Sequence, residues 1–333
     1  MNYIGSKLKL LNFIQETINI VVDDLEDKTF CDIFAGTGIV GRTFKTKTKK
    51  IIANDCEYYS YILNRNYIGN STVIQKSDVL IDELNNTSPI DNGFIYNNYC
   101  KNEKNTRNYF SSYNGRKIDA VRTKIENWYT SNTISEDEYY FLLCCLIESA
   151  DKVANTASVY GAYLKNIKKT AQTDMVIKPA LFVEDEKCHE VYQEDANKLI
   201  KKIEGDILYL DPPYNSRQYG ANYHLLNTIA EYKPFSPKGK TGLRDYERSL
   251  YCSKNNVCDT FDDLLKNSDF KYIFLSYNNE GLMSNSTIRN IMERYGRYNL
   301  FETNHQRFKA DKAENREYKA VSTIEYLHFL EKK

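Results

Sequence analysis

The sequence predicts an α/β chain: a doubly wound mixed sheet interrupted by a mainly helical insertion. Three observations predict it. Short apolar runs alternate with helix-period segments in the first 80 residues and again after residue 186. A Gly-rich turn, Phe34–Gly41, follows the first apolar run and leads into a helix. Between them, residues 81–185 break the rhythm with Asn-, Ser- and Lys-rich loops followed by helices. The expected organisation is an α/β domain of residues 1–80 and 186–333, carrying residues 81–185 as an insertion.

Each element has its own signal. Leu8, Leu11, Ile14, Ile18 and Val22 recur at near-helical spacing and predict an amphipathic helix. Thr29–Ile33, Ile51–Asn54 and Thr72–Gln75 are expected strands, with a helix at Tyr58–Tyr67. In the insertion, helices are expected at Arg116–Tyr129 and Glu136–Lys152, the second with an apolar face of Tyr140, Leu143, Cys144 and Ile147. The alternation then resumes: strand Val191–Asp195, helix Asn197–Ile203, strand Ile207–Leu210, helix Tyr223–Tyr232, strand Tyr272–Ser276, helix Ser286–Tyr295. His305–Ala310 and Ala320–Phe329 are expected to close the sheet as an antiparallel pair, from the alternation of Val321, Thr323, Glu325, Leu327 and Phe329.

Bulk properties exclude more than they identify. Among 333 residues, 45 basic side chains balance 45 acidic ones, so any basic face must be local. No apolar run reaches about 18 residues and no amino-terminal signal pattern is present, which predicts a soluble, cytoplasmic protein without membrane contact. The 8 cysteines form no Cys-x-x-Cys pair and the 4 histidines show no ligand spacing, so reduced thiols and no metal are expected.

Chemistry concentrates at Asp211-Pro212-Pro213-Tyr214, directly after the apolar run Ile207–Leu210. A carboxylate, two rigid prolines and an aromatic ring then stand at the carboxyl end of a strand, where open α/β sheets bind ligands. Asp211 and the Pro212 carbonyl can accept hydrogen bonds from an exocyclic amine while Tyr214 stacks on its ring; a plain Pro-rich turn is the competing reading. Gly36, Gly38 and Gly41 meet the Gly-x-Gly-x-x-Gly spacing, and Asp55 follows at the end of the next expected strand. That pair of features suits an adenosine-containing ligand, whether a nicotinamide dinucleotide or S-adenosylmethionine. A dehydrogenase needs a hydride-handling acid or base, and the four histidines offer no such motif.

Tyr3-Ile4-Gly5-Ser6-Lys7, Asp32–Gly38, Asp55, Asp195-Ala196 and Asp211–Tyr214, in that order, resemble the motif set of the Dam-like alpha class of N6-adenine DNA methyltransferases. The stretch Asp211–Tyr219, Asp-Pro-Pro-Tyr-Asn-Ser-Arg-Gln-Tyr, is similar to the subgroup found in type II restriction-modification systems. The resemblance covers nearly the whole chain. It implies a Rossmann-like methyltransferase fold, S-adenosylmethionine as cofactor and S-adenosylhomocysteine as product. It also implies double-stranded DNA as substrate, a separate restriction endonuclease as functional partner, and a monomer or weak dimer.

The resemblance assigns Tyr3, Gly5 and Lys7 to the segment covering the cofactor, and Asp32, Phe34, Ala35, Gly36 and Gly38 to the methionine-binding loop. It assigns Asp55, with Cys56 beside it, to the ribose, and Asp195 with Ala196 to the adenine. Asp211, Pro212, Pro213 and Tyr214 are the implied catalytic residues, Asp211 also lining the cofactor site. Ser6 and Asp195 equally suit helix caps. DNA contacts are expected from Arg107, Arg116, Lys165, Lys168, Lys169, Lys240 and Arg244 in three basic stretches, and from Asn215, Arg217, Gln218 and Tyr219. A solvated charged face is the alternative for each lysine. The competing functions are an N4-cytosine methyltransferase, in which Ser usually replaces Asp211, a nucleotide-binding dehydrogenase, and a catalytically silent DNA-binding module.

Overall fold

A computed structural model describes residues 3–103, 105–306 and 322–333. The chain forms two compact units. One comprises Met1–Gly5, Glu57–Glu186 and Tyr219–Glu247; the other comprises Ser6–Cys56, Lys187–Gln218 and Arg248–Lys333.

The second unit holds the sheet. Its strands are β1 (Thr29–Asp32), β2 (Lys50–Asn54), β3 (Glu190–Tyr192), β4 (Glu204–Leu210), β5 (Asp269–Asn278), β6 (Gly296–Gln306) and β7 (Ser322–Lys332), in the order β3-β2-β1-β4-β5-β7-β6. The first five are parallel, and β7 runs antiparallel between β5 and β6. Parallel strands covered on both faces need continuous apolar runs. Ile51–Ala53 and Ile207–Leu210 supply them and are buried throughout. One core gathers Cys31, Ile33, Leu208, Leu210, Ile273 and Leu275 against Phe261, Leu264, Leu265 and Ile288 of two helices, Val257–Asn267 and Asn285–Met292. Strand order reverses between β1 and β4, so the carboxyl ends of these neighbours flank the topological switch point.

The first unit is helical. Helix Glu136–Val153 is its axis: Phe141, Leu142, Leu143, Cys144, Cys145, Leu146 and Ile147 are all buried, so it is packed on every side rather than on one face. A capping box between Ser135 and Glu138 fixes its start. Helices Tyr58–Asn64, Ser77–Asn85, Phe94–Tyr99, Ser112–Thr130 and His224–Glu231 belong to the same unit, with shorter helical turns between them.

The expected strand Thr72–Gln75 does not form; the outer partner of β2 is β3, which arrives after residue 187. Only Val73 and Ile74 are apolar there, and Val73 is exposed. The closing antiparallel pair forms, but its first strand begins at Gly296, nine residues before the expected start at His305. The expected strand residues 307–310 and 320–321 lie outside the described residues. Helices Ser77–Asn85, Phe94–Tyr99 and Val257–Asn267 were not anticipated; the last carries a helical pattern of Val257, Phe261, Leu264 and Leu265.

Candidate active site

In the sheet unit, the Gly-rich loop is built as its composition requires. Gly36 has φ 52° and Gly38 φ 72°, left-handed values that side chains rarely adopt. The Gly36 amide donates to Asp55 Oδ2 at 2.8 Å, so the carboxylate at the end of β2 fixes the loop at the end of β1. Asp32 Oδ2 accepts from the Gly41 amide, 3.3 Å away in the first turn of helix Ile39–Phe44. Its other oxygen, Oδ1, is buried without a partner. Burial and the neighbouring Asp211 and Asp55 push the Asp32 carboxyl up to about 8, against the Gly41 amide, which pulls it down. Phe34 meets Tyr251 edge-on at 5.0 Å between ring centroids.

Asp195 caps helix Ala196–Leu199 by accepting from the Lys198 amide at 3.1 Å, and Ala196 is buried. Cys56 accepts at its carbonyl from Gln193 Nε2, 3.3 Å away. Ser6 caps the short 3-10 helix Lys7–Leu10.

At the end of β4, Asp211 Oδ1 forms an ion pair with Lys7 Nζ at 2.8 Å. Lys7 is 4% exposed and Asp211 19%, so the pair is largely removed from water. Burial alone would depress the lysine, but Asp211, with Tyr214 and Glu325, reverses this and holds it charged well above its ordinary range. Burial pushes the Asp211 carboxyl up, and Lys7 pulls against that. The same ammonium lies 5.5 Å from the Tyr214 ring centroid. Breaking a buried pair of this kind typically costs about 3–5 kcal/mol. Tyr214 is held by a 2.9 Å bond from the Leu282 amide to its carbonyl and packs edge-on against Tyr277. Pro212 is buried.

Beyond Tyr214 the loop is ordered by its own polar groups. Asn215 Oδ1 accepts from the Arg217 amide at 2.9 Å. The Gln218 side chain pairs with the backbone of Ser249, accepting at 2.8 Å and donating at 3.4 Å. The Arg217 side chain is exposed.

In the helical unit, the amino-terminal motif sits on tyrosines. The Tyr3 ring stacks on Tyr223 at 4.7 Å and its hydroxyl shares a 3.0 Å bond with Tyr59. The Ile4 amide donates to Tyr223 OH at 2.8 Å, and Tyr219 OH donates to the Ile4 carbonyl at 3.2 Å. Gly5 has φ 81°, and an added Cβ would stand 2.7 Å from Tyr219 OH. Tyr219, expected at DNA, therefore holds the amino-terminal segment.

The basic residues of this unit divide into two kinds. Arg107 spends its guanidinium on the carbonyls of Asn98, Gly239 and Lys240. Arg116 pairs with Asp91 at 3.0 Å, Arg244 with Glu231 at 2.7 Å, and Lys168 donates to the Thr156 carbonyl at 3.1 Å. Lys165, Lys169 and Lys240 are exposed. Lys117, which the sequence groups with Arg107 and Arg116 in one basic stretch, is buried with its ammonium on the carbonyls of Leu84, Asn85 and Thr87 at the end of helix Ser77–Asn85. Among the described residues, no group of three His, Cys, Asp or Glu side chains gathers to hold a metal ion, and no helix is long and apolar enough to cross a membrane.

A family profile described as D12 class N6 adenine-specific DNA methyltransferase matches residues 3–291. The chain is 62% identical to Type II methyltransferase M.NlaIII from Neisseria lactamica, over 100% of this chain and 99% of that protein. It is 40% identical to Type II methyltransferase M.CviAII from Paramecium bursaria Chlorella virus 1, over 93% of each chain. It is 36% identical to Type II methyltransferase M.FokI from Planomicrobium okeanokoites, over 100% of this chain and 53% of that protein.

Proposed function

Because the chain belongs to the D12 class of N6 adenine-specific DNA methyltransferases, we propose that Lys7, Asp32, Asp55 and Asp211 form its catalytic and cofactor site, with S-adenosylmethionine as the donor. The observation that carries this reading is the Lys7–Asp211 ion pair at the carboxyl end of β4, the strand next to the one that ends in the Gly-rich loop. The residues suit the cofactor. Asp32 Oδ1 is a buried acceptor lacking a donor, matched to the ammonium of a methionine moiety. The left-handed Gly36 and Gly38 let the backbone approach a ligand closely, and Asp55 stands where ribose hydroxyls bind in this topology. When bound, the cofactor supplies a sulfonium-activated methyl group.

The protein's task is to make an adenine N6 amine nucleophilic. Its lone pair is delocalised into the ring, so the nitrogen must become more tetrahedral to attack. Lys7 takes Asp211 Oδ1, which leaves Oδ2 to accept one N6 hydrogen. The Pro212 carbonyl, on a chain stiffened by two prolines, accepts the other. Both acceptors favour the positive charge that grows on nitrogen. Lys7 favours the ionised form of Asp211 against the burial that raises its carboxyl, so Asp211 orients the amine and the proton leaves after transfer. Tyr214 offers a face to a base extruded from the duplex; unstacking costs a few kcal/mol, and stacking returns roughly 1–3 kcal/mol.

Exposed Lys165, Lys169, Lys240 and Arg217 are the candidates for phosphate contact. Arg107, Arg116, Lys168 and Arg244 have internal partners and serve the scaffold first. Residues 81–185 remain the proposed target-recognition insertion. The protein is proposed to act in the cytoplasm on double-stranded DNA, protecting it from a separate endonuclease of matching specificity. Replacing Asp211 with Asn tests the site: methyl incorporation into DNA should be lost while S-adenosylhomocysteine still binds in a calorimetric titration. Wild-type incorporation by that variant would remove Asp211 from the mechanism.

A further inference from the structure

Glu325 is an unusual residue for its place. It lies on β7, an interior strand between β5 and β6, and is only 8% exposed. Carboxylates are rarely buried without a cation. Leu327 and Phe329, on the same face of the strand, are apolar, so the alternation alone would place a hydrophobic residue at 325.

The register explains what Glu325 faces. Leu210 of β4 stands opposite Leu275 of β5, and Asn278 of β5 stands opposite Glu325 of β7. Paired residues share a face and successive residues alternate. Leu210, Leu275 and Tyr277 enter the apolar core. Asp211, Ser276, Asn278 and Glu325 therefore share the opposite face at the carboxyl edge of the sheet, with Glu325 two strands from Asp211. Lys7, bonded to Asp211, brings a cation to that face.

We infer that Glu325 is a positioning residue for methyl transfer, a second carboxylate that shares the Lys7 charge with Asp211 and keeps the reaction site from being net positive. This inference rests on the role proposed above for Asp211. The reaction brings a cationic sulfonium to an amine that itself becomes cationic. A lysine balanced only by Asp211 spends that carboxylate, which then has little negative charge left for the amine. A second carboxylate on the same face restores it without touching the substrate. The electrostatics agree: burial pushes the Glu325 carboxyl up, Lys7 pulls it down, and Asp211 and Glu280 push it further up. Among the described residues, the groups facing Glu325 include Lys7 and Asp211, the Tyr214 and Tyr209 phenols, Asn278 and Glu280 from β5 and the turn after it, and Thr303 opposite on β6.

The test is the pH dependence of single-turnover methyl transfer to DNA by wild type, Glu325→Gln, Glu325→Asp and Asp211→Asn. Wild type should lose rate as pH falls through the Glu325 titration. Glu325→Gln should lower the rate on the order of ten- to hundredfold, lack that acid limb, and leave the KM for DNA within about twofold of wild type. Glu325→Asp should recover most of the rate and restore the limb. A Glu325→Gln enzyme with wild-type rate and an unchanged limb overturns the inference; so does a Glu325→Asp enzyme as slow as the Gln variant. If Glu325→Gln does not fold, Glu325→Asp against wild type decides alone. Asp211→Asn separates the two readings: an active Asp211→Asn enzyme defeats the Asp211 role itself, whereas an inactive one beside an unaffected Glu325→Gln enzyme defeats only the inference.

Discussion

Replacing Asp32 with Asn should remove a pH dependence that the fold carries at neutral pH. The Asp32 carboxyl is pushed from an ordinary 3.8 up to about 8 by burial and by Asp211 and Asp55, against the opposing Gly41 amide. Its proton is lost near 3.8 in the unfolded chain and near 8 in the folded one, so the native state binds more protons between those values. The stability from this group is complete below about pH 4 and is lost as pH rises toward 8, at about 1.4 kcal/mol per pH unit. Across the window the upper bound is about 6 kcal/mol. Asn retains an oxygen for the Gly41 amide but does not titrate. Urea unfolding of cofactor-free protein between pH 5 and 8.5 should therefore show wild-type stability falling relative to Asp32→Asn as pH rises. A second readout follows from the same proton. At pH 7 such a carboxyl is about 90% protonated, so binding the ammonium of S-adenosylhomocysteine should release close to one proton from wild type and markedly less from the variant. Calorimetry in buffers of different ionisation enthalpy measures that release. Parallel stability curves with equal proton release would show that Asp32 does not carry this proton.

Gly5→Ala places a Cβ 2.7 Å from Tyr219 OH at φ 81°; it should cost about 1–3 kcal/mol and weaken S-adenosylhomocysteine binding, measured by thermal unfolding and titration. Lys165→Ala and Lys169→Ala should each reduce the slope of log affinity for DNA against log salt by about 1, with the melting temperature unchanged. Arg107→Ala should do the reverse, lowering the melting temperature because three backbone carbonyls lose their donor; an unchanged melting temperature with a smaller salt slope would return Arg107 to the DNA surface.

The sheet was legible where its strands are apolar and bounded by turn residues, as at Thr29–Asp32 and Glu204–Leu210. At β3 the expected strand Val191–Asp195 forms as the shorter, partly buried Glu190–Tyr192, because pairing with β2 rather than a local apolar pattern sets its ends. The Gly-rich loop and Asp211–Tyr214 announce themselves because unusual backbone conformations demand unusual residues. Charges were the harder problem. Lys117, Arg107 and Arg244 look like a nucleic-acid surface in sequence, yet their donors serve carbonyls or a carboxylate within the helical unit. Glu325 looked like an ordinary polar position in an alternating strand, and only the register with Asn278 shows which face it shares. The pairing of Lys7 with Asp211, over 200 residues apart in the chain, left no local signal.

The site is proposed to methylate the N6 amine of adenine in DNA from S-adenosylmethionine. Incubating purified protein with unmethylated duplex DNA and donor, then digesting to nucleosides for mass spectrometry, tests it directly. N6-methyladenine confined to one sequence context is expected, and none from Asp211→Asn. N4-methylcytosine in that digest, or N6-methyladenine undiminished in the Asp211→Asn digest, would contradict it.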